Sequence, residues 1–323
     1  MKRQSLGRKD RLEWGTLTFE AGVLADVSIP FFEVQSSVTG PRLAVMAGMH
    51  PNEVSSMEAA LRLKQAFSQQ LDVGSVSILP ILNMPGLYEH AQSICPIDGK
   101  NINFSFPGNP HGTFSEALAH ALVTDWSAGA DLVVDLHGGD LREDVAKFVM
   151  CQMTGDTAFD ARTRRFARSY DADLIVEFQP GQTTNSGRAT NVLPKLWRHA
   201  VMSEAGANGR IDEESVAFHV CGVLDMARDL GLIGGPKTPH GRANRILRGY
   251  VKIESPATGR FYREVNVNDG VEKGQRLARI TDIYGTHIAE LRAPLTGRVV
   301  MVVTHAIVES GEMVCGIGEV INE

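Results

Sequence analysis

The stretch Asp131-Leu-Val-Val-Asp-Leu-His-Gly-Gly139 decides the fold. It is a continuous apolar run that stops at a glycine pair, which suits a central strand buried on both faces. Ligand sites of open α/β sheets collect at the C-terminal ends of such strands. His137 falls at that end, with Asp135 two residues before it.

A second apolar run, residues 43–45, leads into Gly48-Met-His-Pro-Asn-Glu-Val-Ser-Ser56. Beyond it Met57, Ala60, Leu61 and Phe67 fall on one helical face, which predicts a helix to about Gln69. His50 and Glu53 then share a tight strand-to-helix turn, where an imidazole nitrogen and a carboxylate oxygen can converge. The two groups are natural zinc ligands. A His followed three residues later by Glu is also a common accident, so the pair needs a third member.

The rest of the chain supplies the frame. Residues 16–19 and 27–34 read as short entry strands closed by Thr39-Gly40-Pro41, and residues 76–82 as a strand after Gly74. Residues 88–110 carry Pro, Gly and Asn throughout with no period, and a loop that long is usually functional or flexible. Thr113 and Glu116 form a capping box for a helix to about Trp126. A strand over 145–150 and a helix over about 158–169 follow. The crowded Arg162, Arg164, Arg165 and Arg168 of that helix read as a solvated basic face. After a polar loop at 179–190, Ala200-Val-Met-Ser-Glu-Ala-Gly206 reads as a short strand ending in an acid, and a helix over 213–230 stops at Gly231. Strands alternating with helices predict an α/β fold with helices on both faces of the sheet.

After Gly234-Gly-Pro236 the texture changes. Segments become short, β-branched and punctuated by glycine, and they repeat. Ser255-Pro-Ala-Thr-Gly-Arg260 recurs as Ala293-Pro-Leu-Thr-Gly-Arg298, and Val271-Glu-Lys-Gly274 as Val308-Glu-Ser-Gly311. The expected organisation is an α/β domain over residues 1–240 and a small, pseudo-symmetric all-β domain over 246–323.

Composition narrows the function classes. A net charge of -6 argues against nucleic acid and anionic membrane as partners. No apolar run reaches the ~18 residues that would span a bilayer, and MKRQSLGRKDRLEW has no apolar core behind its basic residues. Cys95, Cys151, Cys221 and Cys315 form no CxxC pair and read as reduced thiols of a cytoplasmic protein. A homo-oligomer is compatible with all of this.

A catalytic zinc site takes three protein ligands and leaves a position open. His50, Glu53 and His137 supply three, for one zinc ion per chain. The alternative for His137 is a strand-end histidine bonded to a turn. Asp135 either supports His137 from behind or is satisfied by nearby backbone. Metal-assisted hydrolysis also needs a group that takes a proton from water and returns it to the leaving amine. Glu204 is the candidate, its alternatives being a helix cap or an ion-pair acid.

The set His50-x-x-Glu53, Asp135-Leu-His137 and Ser203-Glu204-Ala-Gly206 resembles the succinylglutamate desuccinylase/aspartoacylase family, a branch of the zinc carboxypeptidases. So does the loop Pro96-Ile-Asp-Gly-Lys-Asn-Ile-Asn103 with Phe106-Pro-Gly108. The resemblance spans roughly residues 40–230. It implies a zinc carboxypeptidase-like sheet that is mixed, mostly parallel and flanked by helices. It also implies His50, Glu53 and His137 as ligands, Glu204 as base, and hydrolysis of an amide in a small N-acyl amino acid or N-acyl amine by metal-activated water. The chain departs from the family pattern where Asn103-Phe104 replaces Asn-Arg, and residues 91–96 lack a second arginine. Phenylalanine cannot copy a guanidinium's bidentate grip on a carboxylate. Asn103 can still bind substrate, and Arg188 and Arg210, flanking Glu204, are the candidate replacements. The missing arginines also keep two alternatives open: a catalytically altered zinc-binding or regulatory protein on this scaffold, and a carboxypeptidase-like peptide hydrolase. The C-terminal part resembles the barrel-sandwich domain of biotinyl and lipoyl carriers. Its central hairpin, Asp282-Ile-Tyr-Gly-Thr-His-Ile-Ala-Glu290, lacks their lysine, so a structural or lid role is expected.

Overall fold

Leu132–His137 lies in the middle of a 14-stranded mixed sheet, and all of its residues are buried. The computed structural model describes residues 1–20 and 22–321. In chain order the first part comprises β1 (Lys2–Lys9), β2 (Leu12–Thr18), β3 (Ile29–Gln35), β4 (Arg42–Ala47), α1 (Val54–Gln70), β5 (Ser75–Leu79), α2 (Met84–Glu89) and α3 (Phe114–Ala121). Then come β6 (Leu132–His137), β7 (Glu143–Gln152), α4 (Thr157–Ala167), β8 (Leu174–Phe178), α5 (Ala189–Val192), β9 (His199–Ala207) and α6 (Glu213–Leu230). The remainder is all-β: β10 (Arg245–Arg248), β11 (Val251–Glu254), β12 (Gly259–Arg263), β13 (Gly270–Val271), β14 (Arg276–Thr281), β15 (His287–Arg292), β16 (Gly297–Val303), β17 (Ile307–Val308) and β18 (Met313–Gly318).

Strands β5, β4, β6 and β9 run parallel in that spatial order. Antiparallel strands bound them, β3 beside β5 and β7 beside β9, which makes the sheet mixed. One face packs on α1, α4 and α6 through Leu63, Phe67, Phe166, Val216 and Val223. The other packs on α3 and the loop before it through Ile102, Phe114, Leu118 and Trp126. Helical layers on both sides explain why β4 and β6 read as unbroken apolar runs.

Local chemistry sets the helix ends. The Thr113–Glu116 capping box opens α3, which is regular to Ala121 and then widens into a π-type turn over Leu122–Trp126. On α1, Met57, Ala60 and Phe67 are buried as the spacing predicts, but Leu61 is 38% exposed. The buried arc of α1 also takes in Ser56, Ala59 and Leu63, and Leu61 lies past its edge. The long loop before α3 is tied down. Asp98 accepts hydrogen bonds from the Ser115 backbone amide (2.8 Å) and hydroxyl (2.9 Å), and the Asn83 side-chain Nδ2 donates to Ile94 O (2.9 Å).

The all-β part extends the main sheet. Strand β16 pairs antiparallel with the start of β7 (Met301 with Val145, Val303 with Glu143), and β10 pairs parallel with β8. A separate four-stranded sheet, β15-β14-β12-β17, closes over it around Phe261, Leu277, Val299 and Ile317. The sequence repeat shows as an exchange. The strand after the first Thr-Gly-Arg turn, β12, pairs with β17 from the second copy, and β16 after the second turn pairs with β13 from the first. Each half therefore completes the other.

Candidate metal centre

His50, Glu53, His137 and Glu204 come from three neighbouring strand ends. The chain leaves β4 through Gly48 at φ +65, where a Cβ would sit 2.9 Å from Ile81 Cα, so only glycine fits the turn. That turn carries His50 and delivers Glu53 to the start of α1. Glu53 occupies the N-cap position but makes no side-chain cap. Its carboxylate faces the two imidazoles instead.

Glu53 Oε1 lies 2.6 Å from His50 Nδ1, and Oε2 lies 2.9 Å from His137 Nδ1. The Gly138 amide also donates to Oε2 at 3.0 Å. A Cβ at Gly138 would stand 2.4 Å from Ala205 O, which explains the glycine that ends the β6 run. The imidazole rings meet edge to face with centroids 4.9 Å apart. One donor atom from each of the three residues falls within 4.8 Å of the others, the spacing of a metal-ligand set.

The outward ring nitrogens test whether this set fits a metal. His50 Nε2 lies 3.1 Å from Asn101 Oδ1, and His137 Nε2 lies 3.3 Å from Asp135 Oδ1. With Asn101 Oδ1 behind its ring, His50 can carry its proton on Nε2 and offer Nδ1, on the Glu53 side, to a metal, and Asp135 stands behind His137 in the same relation. The Asp135 contact has the distance of an ion pair but not the angles of a hydrogen bond, and both Asp135 oxygens are buried without a hydrogen-bond partner. Burial alone would raise the Glu53 pKa, but the facing His50 and His137 outweigh it and hold the carboxyl at about 2. The donor set fits a divalent cation.

Glu204 sits across from His137 in the register of β6 and β9. Burial pushes its carboxyl up to about 8; Glu53 and Glu143 add to the rise while His137 and His50 oppose it. Behind it, Tyr170 donates to Ser203 Oγ (3.1 Å), and Ser203 Oγ lies 2.9 Å from His219 Nδ1, a buried network that anchors β9.

These groups open into a cavity of about 140 Å³ lined by His50, Glu53 and Glu204. At about 30 Å³ per liquid water, that is room for a small molecule. A larger hollow of about 500 Å³ near Trp197 and Pro180 contains none of them, so size does not mark the chemical site here. Asn103 and Arg188 both line the small cavity. Asn103 Oδ1 and Arg188 Nε are buried there without partners. Phe104, 44% exposed, is flanked by two cations, the Arg188 guanidinium and the Lys252 ammonium, each 5.7 Å from its ring centroid. Charge missing at position 104 is thus present around it. Arg210 does not line the cavity; it is exposed, and its carbonyl accepts from Ser55 Oγ at 2.9 Å.

Five cavity or support residues escape the sequence reading. Asn101 lies within the loop motif that carries the family resemblance, so a signal exists. Glu143, six residues past His137, is marked only by its nearness in the chain. Tyr250, Lys252 and Met301 of the all-β part also line the cavity, and nothing local announces them.

The α/β sheet thus brings a His-Glu-His cluster that could hold a metal ion together with an unpaired acid at adjoining strand ends. Residues 39–230 match the sequence model of the succinylglutamate desuccinylase/aspartoacylase catalytic domain. The chain belongs to the succinylglutamate desuccinylase/aspartoacylase family, a family of deacylases. It is 27% identical over 289 residues to the N-alpha-acetyl-L-2,4-diaminobutyric acid deacetylase of Halomonas elongata, covering 87% of this chain and 83% of that one. Its fold matches a succinylglutamate desuccinylase/aspartoacylase from Rhodobacter sphaeroides with a TM-score of 0.81 and 25% identity, covering 99% of this chain and 96% of that one. It also matches the product-bound ectoine utilization protein of Ruegeria pomeroyi, with a TM-score of 0.84, 23% identity and 98% of each chain covered. Among the described residues no helix is long and apolar enough to cross a membrane.

Proposed function

We propose that this chain is a zinc-dependent deacylase that hydrolyses the amide bond of a small N-acyl amino acid. The convergence of His50, Glu53 and His137 beside Glu204, within the segment that matches the family's catalytic domain, carries the proposal. When bound, zinc supplies Lewis acidity: it polarises a carbonyl and lowers the pKa of water to about 7. His50, Glu53 and His137 would hold the ion, with Asn101 and Asp135 orienting the two rings.

Glu204 takes the proton from the attacking water as its oxygen adds to the acyl carbon. It then delivers that proton to the nitrogen as the C–N bond breaks, so the products are a carboxylic acid and a free amine. Arg188 and Lys252, around Phe104, hold the carboxylate of the amino acid part in place of the absent family arginine. Residues 1–240 form the catalytic unit, and the all-β part, residues 246–323, closes the cavity with Tyr250, Lys252 and Met301. The Halomonas elongata deacetylase supports an acetyl group as the acyl part. Four cysteines without disulfides support a reducing compartment, the cytoplasm.

Release of free amine from a panel of N-acyl amino acids and N-acyl diamines, with and without a chelator, tests the proposal. Metal-dependent release from at least one member is expected. Its absence from all of them would favour a binding protein on this scaffold.

A further inference from the structure

One wall of the cavity takes no part in the hydrolysis described above, and it is apolar. Val145 and Phe148 of β7, Val300 and Met301 of β16 and Met313 of β18 line it. The sheet register fixes its place. Gly206 of β9 pairs with Val145, Val145 with Met301, Met301 with Gly316 of β18, and Gly316 with Lys252 of β11. One row of residues therefore runs from the strand end that carries Glu204 to the Lys252 cation beside Phe104. Between those ends it holds only glycine, valine and methionine. Met301 and Tyr250 both lean over Gly316, where a Cβ would stand 3.2 Å from Met301 Cγ and 3.3 Å from Tyr250 Cδ2.

Two strand irregularities build the wall. From Val145 to Phe148 β7 advances three residues while β9 advances two, and from Val299 to Met301 β16 advances two while β18 advances one. Side chains of a regular strand alternate between faces, so Val145 and Phe148, or Val300 and Met301, would point to opposite sides. The extra residue in each strand puts both members of each pair on the cavity. Lys147, two residues after Val145, would share its side in a regular strand; instead its ammonium lies 3.1 Å from Glu214 at the start of α6. Phe148 and Val300 also belong to the buried apolar cluster behind the wall, which holds it rigid. Glu143, two residues before Val145, has its carboxylate engaged by the Asp140 backbone. Water against such a wall finds few polar partners, and an apolar group displaces it favourably.

We infer that this wall is the subsite for an apolar side chain on the amino acid part of the substrate. In an N-acyl α-amino acid the α-carbon and its side chain lie between the scissile nitrogen and the carboxylate, and the wall spans that interval. The substrate class is the N-acyl derivative of an aliphatic amino acid, with Val145 and Met301 as specificity-determining residues. This rests on the deacylase assignment.

The test measures kcat/KM on zinc-loaded protein for the N-acetyl derivatives of glycine, L-leucine and L-asparagine, the last close to leucine in shape but polar. N-butanoylglycine places the added methylenes on the acyl side instead. Calorimetry follows binding of the free amino acids alongside. Wild type is expected to favour leucine over glycine and asparagine by about ten- to a hundredfold, in turnover and in product binding, and to gain less from the butanoyl chain. Val145→Thr is expected to lower the leucine-to-asparagine ratio by about tenfold. Met301→Ala is expected to move the preference toward the longer L-norleucine. Equal values for the three N-acetyl derivatives, a leucine preference untouched by both variants, or a gain that follows the acyl chain would overturn the inference and leave the deacylase assignment standing. A leucine preference in calorimetry without turnover of any derivative would support the subsite and count against the deacylase assignment alone.

Discussion

Glu204 lies across from His137, its partner in the register of parallel strands β6 and β9, so a buried carboxyl and a buried imidazole stand side by side on neighbouring strands. No hydrogen bond or ion pair links the Glu204 side chain to any described residue, and its position comes from the backbone pairing of β9 with β6 and β7. The Tyr170–Ser203–His219 network beneath fixes the strand that carries it.

Replacing Glu204 therefore separates chemistry from metal binding. Glu204→Gln should retain its metal and its thermal midpoint while losing about 10²- to 10⁴-fold in kcat, the usual worth of a positioned general base. Metal analysis, a melting curve and steady-state kinetics on one preparation check this. Full turnover in the variant would remove Glu204 from its role.

Asp135 should matter through His137. Its Oδ1 stands 3.3 Å behind the His137 Nε2, so Asp135→Asn should weaken zinc affinity by about 10- to 100-fold while leaving Glu204 in place. Competition against a chromophoric chelator measures the change, with His137→Ala as the variant expected to lose the metal. An unchanged affinity would mean that Asp135 serves the fold alone.

The pH profile carries a signature of the buried base. Glu204 is active as the carboxylate, and burial raises its pKa from 4.5 to about 8, so kcat/KM should rise with pH as the proton leaves. A bound dication favours the charged form, so the acid limb should fall between those two values. Glu204→Gln should lack that limb.

Stability should respond to pH through His199, which opens β9 while Glu204 lies toward its other end. Burial first and Arg162 second lower its pKa from 6.5 to about 4, while its ring stacks on Phe159 with centroids 4.0 Å apart. The unfolded chain then binds the proton more readily than the folded one. This contribution is complete above pH 6.5 and is lost as pH falls toward 4. Denaturant midpoints at pH 7 and pH 5 should differ less in His199→Gln than in wild type.

The three candidate ligands that the structure brings together are legible in the sequence because each sits on a local pattern. An apolar run that stops at glycines marks the end of β6, and a run that turns into a helical stripe marks the start of α1. The extent of the sheet was less so. β1, Lys-Arg-Gln-Ser-Leu-Gly-Arg-Lys, is almost wholly exposed, has no apolar face, and is a strand only because it pairs with β2. β8, Leu174–Phe178, is a five-residue apolar run, too short for period to tell strand from helix. Glu143 and Lys252 reach the cavity through pairings between distant segments, β7 with β16 and β11 with β18. No window of sequence contains such pairings. Leu61 shows the converse: helical spacing named the stripe, but packing against α6 set its edge.

Stepwise zinc titration of metal-free protein, with amine release from Nα-acetyl-L-2,4-diaminobutyrate followed at each step, tests the metal-assisted deacylase most directly. Turnover should climb linearly and break at about one zinc per chain, and His50→Ala should show neither the tight site nor the activity. Turnover that is independent of zinc, or a filled site that releases no amine, would contradict it.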